Sequence, residues 1–315
     1  MSPAGLIADI GGTNARFALV PEGATEALFP LVLPCCDYAG PAEAAKAYLA
    51  RIAPEQRPRR AAFAIASPVI ADRVTMTNHV WDFSIRAVGE ILEMNSFRVV
   101  NDFTAVALAV PLLGDDDKVQ VGGGLGDPNA PIAVLGPGTG LGVAALVPVA
   151  GSQVAVPTEG VHVTMAAATE REAQILGWLR PRFDHISAER LVSGPGLVNI
   201  HCALRGLAGL DEEKVSPVEL SHRALAGNPL AVETLDTFFA MLGTVAGNLA
   251  LSLGALGGVV IAGGIVPQLL PSFLASGFRT RFEDKGRFRA YLRPIPVHVV
   301  THSYPAFVGL AGLVN

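Results

Sequence analysis

Leu6-Ile7-Ala8-Asp9-Ile10-Gly11-Gly12-Thr13-Asn14-Ala15-Arg16-Phe17-Ala18-Leu19-Val20 is an apolar strand broken by a polar turn and then resumed. Leu6, Ile7, Ala8 and Ile10 read as a buried strand, and within it stands one carboxylate, Asp9. A charge in such a run is costly without a partner. Gly11 and Gly12 permit a turn with positive φ and let an anion approach bare backbone amides, while Thr13 adds a hydroxyl at the end of the turn. Strand, carboxylate, double glycine and threonine together describe a phosphate and metal cradle. The competing reading is a plain hairpin with Gly-Gly at its tip.

The pattern returns in the second half. Ile132-Ala-Val-Leu-Gly-Pro-Gly138-Thr139-Gly140-Leu-Gly142-Val-Ala-Ala-Leu146 is again strand, Gly-Thr turn and strand. Aligning Gly12-Thr13 on Gly138-Thr139 lays one half of the chain on the other. A repeat of this kind predicts two similar α/β domains facing a cleft, with residues 1–112 plus 302–315 in one and 113–301 in the other. Two Gly-Thr turns at such a cleft would hold the β- and γ-phosphates of a nucleotide. A third double glycine, Gly263-Gly264, follows the apolar run Val259 to Ala262 and suits close contact with a flat nucleoside.

Two further constellations carry chemistry. Val99 and Val100 end a strand, and Asn101-Asp102 follow at its carboxyl end, the edge where ligands bind in open α/β sheets. Asp102 is the candidate general base, accepting a proton from a sugar hydroxyl as that oxygen attacks a γ-phosphorus. Either residue also suits a helix N-cap, so one caps while the other reacts. Glu159 and His162, three apart in a stretch otherwise without charge, are placed to bracket sugar hydroxyls, although a lone His in an apolar setting also fits a core histidine. A metal site would want a third ligand at matching spacing, and none is evident. Ser187 reads as the cap of a following helix, and Glu189, lacking the capping-box spacing, is free for another duty.

Composition sets the limits. Half of the 315 residues are hydrophobic and only 16% are charged, enough for two domains with their own cores. The net charge of −5 and the absence of a Lys/Arg cluster argue against nucleic acid and against an anionic membrane surface. Cys35, Cys36 and Cys202 lack C-x-x-C spacing, consistent with a reduced, cytoplasmic protein without a structural metal. No signal peptide precedes Leu6. The run without charge from Asp236 to Arg279 is cut by its glycines into a helix and a strand, each too short or too polar to span a bilayer. Asp115 to Pro131 reads as an inter-domain link, and Glu283 to Arg287 as a solvated charged turn.

Read together, Ile7-Ala-Asp-Ile-Gly-Gly-Thr-Asn-Ala-Arg16, Met76-Thr-Asn-His79, Asn101-Asp-Phe-Thr-Ala105, Gly138-Thr-Gly-Leu-Gly142, Ser187-Ala-Glu-Arg190, Leu191-Val-Ser-Gly-Pro-Gly-Leu-Val-Asn199, Asn248-Leu-Ala-Leu251, Ile261-Ala-Gly-Gly-Ile-Val-Pro267 and Phe282-Glu-Asp-Lys-Gly-Arg-Phe288 resemble the bacterial ATP-dependent glucokinase family. The match runs in order from the first strand to the last tenth of the chain. It implies the two-domain, actin-like (ribonuclease H-like) α/β fold of hexokinases, closing over D-glucose and magnesium ATP, a homodimer, and glucose 6-phosphate as product. It also implies that Asn101 and Asp102 hold the sugar with Asp102 as base, and that Glu159, His162 and Glu189 contact the sugar. Ala8, Asp9, Ile10, Gly11, Gly12 and Thr13 would bind ATP phosphates, with Asp9 positioning Mg2+ through water.

The sequence departs from the family around Glu159. Thr158 and Val161 stand where glycines are usual, and Thr164-Met165 replace Asp-Phe. This thickens the loop that shapes the sugar pocket and leaves open a kinase of the same fold acting on mannose, fructose or an amino sugar, with a non-catalytic nucleotide-binding sensor as a further reading.

Overall fold

The computed structural model describes residues 3–315 and has two compact units: the chain through Asp117 with Gln153–Pro157 and His302–Asn315, and Lys118–Ser152 with Thr158–Thr301. The first unit holds β1 (Pro3–Ile10), β2 (Asn14–Pro21), β3 (Leu28–Pro34), α1 (Pro41–Leu49), β4 (Arg60–Ile65), β5 (Arg73–Thr75), β6 (Asp82–Ser84), α2 (Ile85–Ile91), β7 (Ser96–Asn101) and α3 (Asp102–Ala109). Then come β8 (Lys118–Gln120), β9 (Ile132–Pro137), β10 (Leu141–Val149), β11 (Ser152–Thr158), α4 (Glu170–Leu179), α5 (Gly194–Leu207), α6 (Pro217–Leu225) and α7 (Pro229–Leu253). The chain closes through β12 (Gly258–Ile261), α8 (Ile265–Gln268), α9 (Leu270–Ala275), α10 (Phe278–Glu283), α11 (Arg289–Leu292), β13 (Val297–Val300) and α12 (Pro305–Val314).

The repeat in the sequence is a repeat in topology. One sheet has the order β3-β2-β1-β4-β7 and the other β11-β10-β9-β12-β13-β8. In each, a glycine-tipped antiparallel hairpin (β1/β2 or β9/β10) is followed by parallel strands on the far side of its first member. Continuous apolar runs such as Ala61 to Ile65 and Val259 to Ile261 fill the parallel strands, as burial on both faces requires. In the first unit, α12 packs on α3 and β1, and Gly309 lies against the Ala105 carbonyl so closely that any side chain there would collide with it.

Four expectations change. Neither Gly11 nor Gly12 has a positive φ; the need at Gly12 is space, because a Cβ would stand 2.7 Å from the Asn78 carbonyl oxygen. The presumed link from Asp115 to Pro131 contributes β8, which pairs antiparallel with β13. The helix expected from Ser187 starts at Gly194, capped by Ser193, whose hydroxyl accepts from Gly196 N–H. Ser187 instead forms an isolated bridge with Thr164.

The fourth concerns α7. The charge-free run is divided into a helix and a strand, α7 and β12, but the helix is not too short: from the Asn228 cap to Gly254 at φ 59° it has 25 residues, long and apolar enough to cross a membrane by length and composition. Two-thirds of its most apolar window is buried in the protein, and Gly243 and Gly247 admit the α10 backbone at Phe278 and Phe282. It is the central helix of the second core.

Candidate functional site

In the first unit, register brings the predicted groups to one edge. Ile10 of β1 is level with Ile65 of β4, and Ile65 with Asn101 of β7, so the three parallel strands end in a row. Just before that edge Asp9 stands opposite Arg16 across the hairpin, and the two side chains pair at 3.2 Å. Arg16 is thus the partner that the buried carboxylate needed. The Asp9 side chain keeps a quarter of its surface exposed, yet the protein packed around it raises its proton affinity above the ordinary carboxylate range, against the opposing effect of Arg16.

The division of labour at the end of β7 follows the geometry. Asn101 is the N-cap of α3: its Oδ1 accepts from the backbone N–H of Phe103 at 2.9 Å and of Thr104 at 3.3 Å. That leaves Asp102, the first helical residue, to accept from Phe103 N–H through one oxygen at 2.9 Å. Burial first, and then the negative charge of Asp9, push the Asp102 carboxyl up to about 6. It is a carboxylate at neutral pH, poised to take a proton.

Sequence reasoning quoted the motif Met76 to His79 without a role for it and did not single out Ser67, and these residues frame this edge. Ser67, directly after β4, is buried, bonds Thr77 through its hydroxyl at 3.2 Å and through Thr77 N–H at 2.8 Å, and offers its carbonyl to Asn101 Nδ2 at 3.4 Å. The β5/β6 turn therefore carries Thr77 and Asn78 to the edge, and Asn78 is the residue that Gly12 lies against. The alternation of polar and aromatic residues from Met76 to Asp82 was the signal, with Met76 and Trp81 buried as anchors. Beneath the turn, Cys35 N–H donates to the Thr13 carbonyl at 2.8 Å and Cys35 Sγ to the Gly11 carbonyl at 3.4 Å.

In the second unit, Glu189 joins the other predicted groups. Its Oε2 accepts from Leu141 N–H at 3.0 Å, and its position fills the space where a Cβ on Gly140 would stand, 2.6 Å away. Gly138 N–H donates to the Gly140 carbonyl at 2.7 Å, and Gly194, opening α5, donates to the Gly138 carbonyl at 2.8 Å. The Gly138-Thr139-Gly140 turn is thus fixed by both Glu189 and the start of a helix. Glu159 and His162 flank one helical turn, with Glu159 Oε2 3.8 Å from His162 Nε2 and both side chains more than half exposed. Glu189 N–H donates to the Val161 carbonyl and Ala188 N–H to that of Val163, so Glu159, His162 and Glu189 share one backbone framework. His162 is no core histidine.

Gly263 has φ 85°, and a Cβ there would lie 2.5 Å from the Pro137 carbonyl oxygen, so this position tolerates only glycine. With Leu135 level with Ile261, the Gly263-Gly264 turn sits beside the end of β9, just ahead of the Gly138 turn. Two of the four departures around Glu159, Val161 and Met165, point inward, and Thr164 is exposed. Val161 and Met165 are buried in the second core, and Thr158 Oγ1 donates to the Val143 carbonyl at 3.4 Å while accepting from Gly160 N–H at 3.1 Å. The loop is thickened on its core side.

A family model described as glucokinase matches residues 6–315. The chain belongs to the glucokinase family. Its relatives include a glucokinase of Paramagnetospirillum magneticum, 56% identical over all of this chain and 98% of that protein. The crystal structure of a glucokinase from an Antarctic psychrotroph superposes with TM-score 0.89 at 36% identity, covering 100% of this chain and 99% of that one. A ROK-family glucokinase from Streptomyces griseus, solved in complex with glucose and AMPPNP, shares the fold at TM-score 0.65 and 18% identity over 98% of both chains. The α/β fold is that of the actin-like sugar kinases.

Proposed function

We propose that this member of the glucokinase family transfers the γ-phosphoryl group of ATP to the 6-hydroxyl of D-glucose, giving glucose 6-phosphate and ADP at the head of glycolysis. The observation that carries the mechanism is the Asp102 carboxyl at the start of α3, raised to about 6 by burial and by Asp9. That proton affinity is near what a base working at neutral pH needs. Asp102 takes the proton of the sugar 6-hydroxyl, the oxygen attacks the γ-phosphorus, and the bond to the β,γ-bridging oxygen breaks with its electron pair leaving on ADP. The protein's contribution is otherwise alignment and charge neutralisation, the main demands of phosphoryl transfer.

Asn101, Glu159, His162 and Glu189 are assigned to the sugar hydroxyls, each supplying directional bonds. Ala8 to Thr13 and Gly138 to Gly140 are assigned to the phosphates, and Gly263-Gly264 to the nucleoside. Asp9 fits a role toward Mg2+: magnesium keeps several waters and takes one or two carboxylates plus substrate phosphates, and no group of three or more His, Cys, Asp or Glu suited to a metal occurs among the described residues. When bound, the ion neutralises phosphate charge. Arg16 holds the Asp9 carboxylate in place. A cytoplasmic homodimer is the assembly that goes with this reading.

Glucose is favoured over another hexose because two of the four residues that depart from the family motif, Val161 and Met165, turn into the core, while the hydroxyls of Thr158 and Thr164 are engaged with the Val143 carbonyl and His185 rather than with Glu159 and His162. ADP release with magnesium ATP on glucose, mannose, fructose and N-acetylglucosamine tests this, run beside Asp102→Asn. Glucose turnover about tenfold or more above the others, roughly 1.4 kcal/mol of barrier, and lost in the variant, is the expected result. Preference for another sugar would overturn the assignment of substrate, and full activity in the variant would overturn that of the base.

A further inference from the structure

We propose that the open cavity bounded by Gly286, Arg287, Arg289, Ala290, Arg293 and Pro294, about 760 Å³, binds a small polyanion carrying two or more phosphate or carboxylate groups. Contrary to the expected absence of a Lys/Arg cluster, the segment from Arg279 to Arg293 holds six basic residues against Glu283 and Asp284, in a chain of net charge −5. Half of the six are used internally. Arg279 pairs with Glu283 at 2.7 Å, Arg281 with the buried Glu172 at 2.6 Å, and Lys285 is half-buried with its ammonium 3.5 Å from the Thr244 carbonyl. The charged turn from Glu283 to Arg287 is therefore only partly the solvated surface its composition suggested.

The remaining three guanidiniums gather at the cavity. Arg289 and Arg293, four apart, lie on the same side of the α11 turn, and the short helical turn Gly286–Phe288 brings Arg287 beside them. Arg289 shares Asp284 at 3.4 Å, with both side chains more than half exposed, and Arg287 lies over the exposed Phe288 ring. The Arg293 side chain makes no ion pair or hydrogen bond among the described residues. Gly286 and Ala290 leave the floor open to a ligand, and no carboxylate lines it.

The end of α11 would ordinarily repel an anion, since its last carbonyls point outward. Here they are engaged: Arg279 donates to the carbonyls of Leu292, Arg293 and Ile295 at 3.5, 2.7 and 2.9 Å. With those carbonyls engaged, Arg287 and Arg293 face a ligand without a paired carboxylate, and Arg289 shares its charge only with the exposed Asp284. Their planar forks match phosphate and carboxylate oxygens two at a time.

Isothermal titration of the full chain at low salt with citrate and, separately, with inorganic pyrophosphate tests the site and distinguishes the two sources. At least one probe is expected to bind, to weaken with added salt, and to lose about tenfold or more in affinity in Arg287→Gln/Arg293→Gln. Melting temperature and basal turnover are expected to stay unchanged, because these side chains support neither the core nor the proposed reaction. Arg287→Lys/Arg293→Lys is expected to fall between, keeping charge but losing the fork. Failure of both probes to bind, or binding that persists unchanged in the Gln variant, overturns the proposal. The titration needs no turnover, so its outcome is independent of whether glucose is the substrate.

Discussion

Asp102→Asn is expected to make the enzyme inactive and more stable at once. Raising a carboxyl from 3.8 to about 6 on folding costs roughly 3 kcal/mol at neutral pH, at about 1.4 kcal/mol per pH unit. The sign follows from proton uptake: the folded state binds this proton more tightly, so its stabilising effect is present at low pH and is lost as pH rises through about 6. Asparagine carries no charge to bury and keeps an oxygen for Phe103 N–H. Its gain over the native chain is therefore largest at pH 8 and falls to roughly half by pH 5, where most of the native Asp102 is already protonated. For a unit of this size about 3 kcal/mol corresponds to roughly 5–10 °C in melting temperature as an upper limit, because Asp102 retains some contact with water. Turnover is expected to drop about 100- to 10,000-fold, and in the native enzyme kcat/KM is expected to fall tenfold per pH unit below about 6. Calorimetric scans at pH 5 and 8 beside ADP-release rates decide the matter. A variant that melts lower than the native chain at pH 8, or one that is stabilised equally at both pH values, would refute the electrostatic reasoning.

Glu189→Gln keeps an acceptor for Leu141 N–H, so it is expected to raise the glucose KM with an unchanged melting temperature; a change confined to the ATP KM would move Glu189 away from the sugar. Gly140→Ala places a methyl 2.6 Å from the Glu189 carboxylate, and the side chain yields more readily than the backbone, so the same KM effect is expected with a stability loss of about 1 kcal/mol or less by thermal melting. Gly263→Ala meets a backbone carbonyl at positive φ and is expected to cost about 2 kcal/mol or more in urea denaturation. Arg281→Met strands the buried Glu172, whose second oxygen already accepts from Ala168 N–H, and is expected to cost about 3–5 kcal/mol, with Arg281→Met/Glu172→Leu recovering part of it.

What the sequence made legible was whatever had a period or a punctuation mark. The two glycine-tipped hairpins, the buried strand from Ala61 to Ile65 and the caps at Ser84 and Ser216 follow from local chemistry, and the same strand-end logic led to Asn101 and Asp102. Partners distant in the chain were not legible. Arg16 was in the quoted motif, but only the hairpin register sets it opposite Asp9. Ser67 carries no periodicity, and the alternation around Thr77 names no partner; the two meet only because the β5/β6 turn folds back on the sheet edge. Ser187 suits a cap by residue type, but the cap is Ser193, followed by Gly194 and Pro195, while the backbone around Ser187 is spent pairing with Val161 to Met165. Gly243 and Gly247 of α7 would be costly in an isolated helix, and they hold because α10 packs directly on them.

The docking of α12 on α3 has a consequence for synthesis. Ala109, which ends α3, and Pro305, which begins α12, are 196 positions apart, with the whole run from Lys118 to Ser152 and Thr158 to Thr301 between. At about 5–20 residues per second, a ribosome needs roughly 10–40 s to cover that distance. Throughout that interval the apolar face of α3, with Ala105 and Ala109 fully buried in the finished protein, has no helix to cover it. The unit encoded first is thus completed last, and until α12 docks the nascent chain offers a chaperone an apolar surface at α3.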